Sequence, residues 1–93
     1  MQVRLLPVGD VHREAAAGVV ERLEEEGLRA ETDIREETIG KRIRDAEIEK
    51  IPYVIVYGDR ESDESLAVRE RGGAQSTQSL DELLRDLVAK VEA

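Results

Sequence analysis

The sequence predicts an α/β fold with three layers, in which a mixed β-sheet lies between α-helices. Short apolar runs alternate with amphipathic helical stretches as far as Tyr57, which is the pattern of successive β-α-β units. The run Tyr53–Tyr57 is apolar on both faces, as in a central strand covered by helices on both sides. Two further strand-like stretches and a final amphipathic helix complete the order β-α-β-α-β-β-β-α.

The first strand and helix are separated by a glycine and an acidic residue. Val3–Val8 is short and apolar, and Gly9 and Asp10 close it. Aspartate is a good N-cap, so we expect a helix from about Val11 to Glu26 that begins after Asp10. Gly27 then stands where a left-handed C-cap belongs.

The second strand and helix follow the same pattern. Leu28–Ile34 predicts a strand, one face of which carries Leu28, Ala30, Thr32 and Ile34. Thr38 is the expected cap of the next helix, and Pro52 prevents its continuation. The buried stripe of that helix is predicted to contain Ile39, Ile43 and Ala46.

The last third of the chain predicts a hairpin, an edge strand and a helix. Residues 58–64 form a polar turn between Tyr53–Tyr57 and a strand at Ser65–Glu70. A short edge strand is expected at Ala74–Thr77, after a glycine pair. Ser79 and Glu82 form a capping box for the final helix. The apolar stripe of that helix comprises Leu80, Leu83, Leu84, Leu87, Val88 and Val91.

These connections predict the strand directions. The first three strands are joined by helices, so they should be parallel, with right-handed crossovers. The fourth follows a short loop and should be antiparallel to the third.

Length and composition predict one domain over residues 1–93. No apolar stretch approaches the length of a membrane span, and no apolar secretion segment follows Met1, so we expect a cytoplasmic protein without membrane contact. The absence of cysteine excludes disulfides, thiol nucleophiles and cysteine-based zinc sites.

The acidic charge balance argues against a general nucleic-acid binder. The chain has 14 basic and 22 acidic residues and a formal net charge of −8, whereas phosphate contacts usually require a positive surface. Any RNA contact must therefore come from a local basic patch, and binding should be weak and sensitive to salt.

Motifs for independent catalysis or cofactor binding are not found. The glycines match neither a dinucleotide fingerprint nor a phosphate loop. The acidic turn that begins at Asp59 resembles a calcium loop, but Glu64 stands where that loop requires glycine. His12, the only histidine, is expected to be a polar residue of the first helical turn, and Tyr53 and Tyr57 to be core residues.

Three stretches resemble the anticodon-binding domain of one group of class II aminoacyl-tRNA synthetases. They are Gly27–Arg44, with its Ile39-Gly40-Lys41-Arg42-Ile43-Arg44 run, then Lys50–Glu61, and Leu66–Arg71. Within that group the blocks are most similar to the threonyl family, in which a Pro-Tyr strand ends in Gly-Asp-Lys-Glu and a Val-Arg-x-Arg strand follows.

The resemblance implies both a fold and a binding site. The fold is a five-stranded mixed sheet flanked by three helices. The family contacts anticodon bases with the positions that are Glu61 and Arg69 here, and it also uses those of Lys50 and Glu36. Arg71, the second arginine of the Val-Arg-x-Arg strand, completes the candidate set. We expect Glu61 and Arg69 to come together when the strands 53–57 and 65–70 pair.

The resemblance also implies the function and the partners. The chain would be a non-catalytic module that binds the anticodon loop of a tRNA, threonine tRNA by its similarity, while the rest of the synthetase attaches the amino acid. No cofactor is expected in this domain, because ATP and zinc would belong to a separate catalytic domain.

Two other functions fit the same fold. One is a stand-alone protein-interaction domain that has no RNA binding, which would be indicated if Lys41, Arg44, Lys50, Arg69 and Arg71 did not share a face. The other is a small-ligand enzyme or sensor of flavodoxin type, for which Gly9-Asp10-Val11-His12 provides no phosphate loop.

Overall fold

The computed structural model describes the backbone of residues 2–92 and the side chains of residues 2–90. It contains five strands, three α-helices and one short 3₁₀-helix. The strands are β1 (Gln2–Pro7), β2 (Arg29–Thr32), β3 (Tyr53–Tyr57), β4 (Leu66–Glu70) and β5 (Gln75–Gln78). The α-helices are α1 (Arg13–Glu25), α2 (Ile39–Ile48) and α3 (Leu80–Glu92), and the 3₁₀-helix covers Asp10–His12. The predicted α/β order is confirmed.

The five strands form one mixed sheet in the order β2-β1-β3-β4-β5. The strand β1 is parallel to both β2 and β3, while β3–β4 and β4–β5 are antiparallel pairs. The predicted directions are therefore confirmed, and β3 occupies the centre of the sheet.

Helices cover the two faces of the sheet unequally. On one face α1 and α3 pack over a large core that includes Tyr53, Ile55 and Tyr57. On the other face α2 packs alone over a small core that includes Leu6 and Val54. Tyr53 and Tyr57 are confirmed as core residues, since both are at least nine-tenths buried. The predicted packing of Val91 lies outside the described side chains.

Most predicted helix ends are confirmed. Gly27 adopts φ +80° at the end of α1, the Thr38 hydroxyl accepts a hydrogen bond from the Lys41 amide at 3.1 Å, and the capping box of Ser79 and Glu82 is formed. The cap expected at Asp10 is wrong. Asp10 is itself the first residue of the 3₁₀-helix, and its carboxylate pairs with Arg13 at 3.0 Å.

The strand predicted at 28–34 is shorter than expected, and Ile34 does not join its buried face. The Asp33 carboxylate accepts hydrogen bonds from the backbone amide of Arg35 at 3.2 Å and from its guanidinium at 2.8 Å. This local turn ends β2 at Thr32 and leaves Ile34 51% exposed.

Candidate nucleic-acid interface

The sheet face beside α2 is open over its last two strands. The strand register places Val54, Arg69 and Gln75 in one row across β3, β4 and β5, and Val56, Ala67 and Thr77 in the next row. Val54 and Val56 pack against α2, so all six side chains lie on the α2 side of the sheet. We call these six residues the shelf. The helix covers its β3 side, and Gln75 and Thr77 at its β5 side are exposed.

Two adjoining grooves lie along the shelf. One opening, of about 360 Å³, lies between α2 and the β4–β5 hairpin; Ile43, Ile51 and Val54 provide apolar lining, and Arg69 and Arg71 line it too. A second opening of about 430 Å³ continues over β4 and β5 and shares Ile43, Arg69 and Gln75 with the first. An apolar groove with convergent hydrogen-bond donors suits a flat, polar-edged group such as a nucleobase.

The cations of the groove are not neutralised by neighbouring carboxylates. Neither Arg69 nor Arg71 forms an ion pair with any residue of the described chain, although Glu47 and Glu70 line the same groove. The lysines and arginines that do form ion pairs are Arg4, Arg13, Arg22, Arg35, Lys41 and Lys90. In an acidic chain, unpaired guanidinium groups at one groove are positioned to bind an external acceptor.

Lys50 lies at the same end of β3 as Arg71. The backbone amide of Arg71 donates to the Pro52 carbonyl at 2.8 Å, which holds the end of β4 beside the start of β3. Lys50 is two residues before Pro52, is exposed, and adopts φ +61°. Its neighbour Ile51 lines the groove, so the ammonium group of Lys50 adds positive charge near that end.

Glu61 lies at the opposite end of the shelf. One of its carboxylate oxygens accepts a hydrogen bond from the Gly58 amide at 3.0 Å. A Cβ on Gly58 would come within 3.2 Å of that oxygen and 2.9 Å of the Val8 Cγ2, so glycine permits this close arrangement. Gly58 follows Val56 by two residues, so a Cβ on Gly58 would point to the α2 side of the sheet. The Glu61 carboxylate oxygen lies next to that Cβ position and is therefore on the α2 side too.

Glu61 and Arg69 form no hydrogen bond or ion pair with each other among the described residues, although β3 and β4 pair as predicted. Arg69 is paired with Val54 in the register, whereas Glu61 is bonded to Gly58, four residues further along the chain. At the rise of a strand this separation is about 13 Å. The two side chains share a face of the sheet but would contact different parts of a ligand.

Glu36 does not line either groove. It is exposed in the loop between β2 and α2, and β1 separates β2 from β3, the first of the shelf strands. That loop is held by Arg42, which is only 4% exposed. The Arg42 guanidinium donates to the carbonyls of Pro7 at 2.9 Å, Asp33 at 3.0 Å and Glu37 at 3.2 Å.

The basic residues of α2 do not line the grooves of the shelf. Lys41 and Arg44 together line a separate opening on α2. Lys41 is paired there with Asp45 at 3.2 Å, and Arg44 has no ion pair among the described residues. Of the five basic residues whose shared face would indicate RNA binding, Lys50, Arg69 and Arg71 are thus at or near the shelf, and Lys41 and Arg44 are not.

Sequence reasoning missed two features, a contact between the turns after β1 and β3 and two shelf residues on the edge strand β5. His12 contacts the Asp59 carboxylate at 2.8 Å, which joins the turns after β1 and β3. Gln75 and Thr77 belong to the shelf, and alternation through the predicted edge strand would have placed them on one face.

Within the described residues, no group of three or more His, Cys, Asp or Glu side chains could hold a metal ion. No helix there is long and apolar enough to cross a membrane.

Comparisons with known proteins agree on one family. A family model described as the anticodon binding domain matches residues 2–90. The threonine–tRNA ligase of Caldivirga maquilingensis is 47% identical over 88 residues, a match that covers 94% of this chain and 14% of the ligase. That of Thermofilum pendens is 44% identical over 93 residues, covering 99% of this chain and 15% of the ligase.

A solved structure supports the same assignment. The RNA-binding domain of threonyl-tRNA synthetase from Cryptosporidium parvum Iowa II superposes with a TM-score of 0.87 at 26% identity, and the match covers 95% of this chain and 23% of that one. The chain thus corresponds to a small part of its relatives. With the family model matching almost its whole length, the chain belongs to the anticodon-binding domain family.

Proposed function

We propose that this chain is the anticodon-recognition module of a threonine–tRNA ligase and that the shelf holds the anticodon loop of threonine tRNA. The observation that carries the proposal is Arg69, an arginine without an ion pair among the described residues, on the open sheet face of a member of the anticodon-binding family. Its relatives named threonine–tRNA ligases support the choice of tRNA.

Each candidate residue has a distinct chemical role in this proposal. Arg69 donates paired hydrogen bonds to a base edge or stacks on a base. Glu61 accepts hydrogen bonds from amino or imino groups about 13 Å further along the shelf. Lys50 and Arg71 attract the phosphates between these two points. Glu36, across the sheet beside α2, would contact the loop only at its margin.

We propose that aminoacylation takes place in a separate catalytic domain. The chain covers 14% of the length of the Caldivirga maquilingensis ligase, so most of such an enzyme would lie outside it. ATP and zinc would bind to that larger part, in the cytoplasm where translation occurs. The alternative, a protein-interaction domain without RNA binding, is not favoured by the relatives.

The test is a titration of the chain, at low salt, with an RNA stem-loop that carries a threonine anticodon. Amide shifts are followed by NMR, and a stem-loop with substituted anticodon bases is the control. We expect selective shifts on β4, around Lys50 and around Glu61. Equal shifts with both stem-loops would indicate attraction to the phosphates alone, and no shifts with a folded sample would contradict the proposal.

Arg69→Ala and Arg85→Ala form a matched pair for the same titration. Each removes one arginine, but Arg85 is exposed on α3, on the opposite side of the sheet. Loss of a bidentate arginine–base contact should weaken binding about five- to 100-fold, whereas Arg85→Ala should change it less than twofold. Similar losses in both variants would indicate that only net charge matters.

A further inference from the structure

The two glutamines of β5 lie on opposite faces of the same edge strand. Gln75 pairs with Arg69 and Gln78 pairs with Leu66 in the register of β4 and β5. Leu66 is in the large core beneath α1 and α3, so Gln78 is on that side, whereas Gln75 is on the shelf. The Gln78 amide is already engaged, because its Nε2 donates to the Ser76 hydroxyl at 2.9 Å.

The Gln75 amide has no comparable partner. Among the described residues it forms no side-chain hydrogen bond, and it is exposed. It lines both grooves. Gln75 is directly opposite Arg69 on the neighbouring antiparallel strand, with about 5 Å between the two Cα atoms. An uncommitted amide beside an uncommitted guanidinium, above an apolar floor, is a site built from complementary hydrogen-bonding groups.

An amide supplies chemistry that the other shelf residues lack. Arginine only donates hydrogen bonds and an ionised glutamate only accepts them, whereas glutamine does both from adjacent atoms. A base edge with neighbouring donor and acceptor atoms is bound in two places by such a group. This gives discrimination between bases without adding charge.

We propose that Gln75 is a specificity-determining, base-contacting residue that extends the RNA surface from β4 to the edge strand β5. The inference rests on the proposed function, since it assigns a further contact within the same site. The ligand is a single-stranded RNA base whose exposed edge offers one donor and one acceptor, placed next to the base or phosphate bound by Arg69. Thr77, in the next row, borders this position.

Because Gln75 is neutral, its contribution to RNA affinity should depend on salt differently from that of a charged residue. A contact to a phosphate releases counterions, so its loss makes the affinity less dependent on salt. A contact to a base edge releases none. Gln75→Ala should therefore weaken binding by the same factor at every salt concentration, whereas Arg71→Gln should reduce the slope of log affinity against log salt by about 0.7.

The experiment measures Kd for the threonine anticodon stem-loop and for a set of loops with single base substitutions. The variants are Gln75→Ala, the matched control Gln78→Ala, and Arg69→Ala as a reference for the proposed function. Thermal unfolding verifies that each variant is folded. We expect Gln75→Ala to weaken binding about three- to tenfold, in the range of one or two lost hydrogen bonds, and to lose discrimination at one loop position. Gln78→Ala should change Kd less than twofold.

The outcomes separate this inference from the function on which it rests. If the stem-loop binds and Arg69→Ala weakens it while Gln75→Ala and Gln78→Ala behave alike, the inference is wrong and the proposed function stands. If Gln75→Ala lowers affinity only at low salt, or equally for every loop, base contact is also contradicted. If the folded wild-type chain binds no stem-loop, both are overturned.

Discussion

Lys50 occupies a backbone position that glycine occupies elsewhere in the same chain. After α1, the amide of Gly27 donates to the Glu24 carbonyl at 2.9 Å and that of Leu28 donates to Leu23 at 3.1 Å. After α2, the backbone amide of Lys50 donates to the Glu47 carbonyl at 3.1 Å, and the amide of Ile51 donates to the Ala46 carbonyl at 3.0 Å. Both ends are Schellman motifs, which require a left-handed residue.

A lysine at φ +61° is strained where Gly27 at φ +80° is not. We expect Lys50→Gly to raise the free energy of unfolding by about 1 kcal/mol, the usual cost of a left-handed residue with a side chain. The same variant should weaken binding to the anticodon stem-loop, because it removes a positive charge near the groove. Chemical denaturation and the RNA titration give the two values.

Lys50→Ala separates backbone strain from charge. It removes the charge and keeps the Cβ, so it should weaken RNA binding as Lys50→Gly does without the gain in stability. The converse substitution, Gly27→Ala, should lower stability by about 1 kcal/mol. A stability gain in Lys50→Ala equal to that of Lys50→Gly would contradict the strain argument.

At the scale of elements, one buried arginine joins α2 to the ends of two strands. Arg42 donates to the carbonyl of Pro7, the last residue of β1, and to that of Asp33, the residue after β2. It also donates to the carbonyl of Glu37, shortly before α2. An arginine that is 4% exposed and bound only to carbonyls stabilises this junction through charge-assisted hydrogen bonds. Its removal leaves three carbonyls without this donor.

We expect Arg42→Leu to lower the free energy of unfolding by about 3 kcal/mol, which for a domain of this size corresponds to about 10–20 °C in melting temperature. Arg44→Leu is the matched control on the same helix. Arg44 is exposed, and its substitution should change stability by about 0.5 kcal/mol or less. Thermal and denaturant unfolding measure both, and equal losses would show that Arg42 is not a structural link.

The β2–α2 loop is expected to respond to acid. Hydrogen bonds from Arg35 hold the pKa of Asp33 below its ordinary value of 3.8, against the opposing effect of burial. Because the pKa of Asp33 is lower in the folded state, its carboxylate stabilises the fold above pH 3.8. That stabilisation is lost as the pH falls through the folded pKa. Asp33→Asn should therefore be less stable than wild type at pH 7, and the difference should close as the pH falls below the folded pKa of Asp33.

The control for the acid response is Glu36→Gln, in the same loop. Glu36 is exposed and forms no ion pair with a described residue, so its substitution should leave a small difference from wild type at every pH. Unfolding by urea from pH 7 to about pH 2 measures both variants. A difference for Asp33→Asn that stays constant over this range would contradict the assignment.

Sequence patterns predicted the elements of this fold better than the arrangement of its site. Periodicity and caps are local, so α2, the capping box at Ser79 and the buried strand β3 follow from neighbouring residues. The separation of Glu61 from Arg69 depends on the register between β3 and β4, and a pattern within one strand does not contain that register. The early end of β2 depends on the Asp33–Arg35 contact, which overrode the alternation that predicted Ile34 on the buried face.

At the scale of the whole molecule, part of the acidic charge lies on the side of the sheet opposite the candidate interface. The outer surface of α1 carries Glu14, Glu21 and Glu24, all exposed and without ion pairs among the described residues. The shelf is on the other side of the sheet, and the shortest dimension of the molecule is 20 Å. A net charge of −8 is thus compatible with a local site for an anion.

Neutralising that distant surface should affect RNA binding only when salt is low. The triple variant Glu14→Gln, Glu21→Gln and Glu24→Gln removes three negative charges from the outer surface of α1, which is separated from the shelf by the sheet and by the helix, the helix alone being about 10–12 Å thick. At about 0.15 M salt the Debye length is about 8 Å, so we expect less than a twofold change in Kd. At about 0.01 M it is about 30 Å, and the variant should bind the stem-loop about three- to tenfold more tightly than wild type. Fluorescence titrations at both salt concentrations measure the difference. A large gain at 0.15 M would mean that RNA contacts α1 itself, and the interface would then have to be placed on the other face of the sheet.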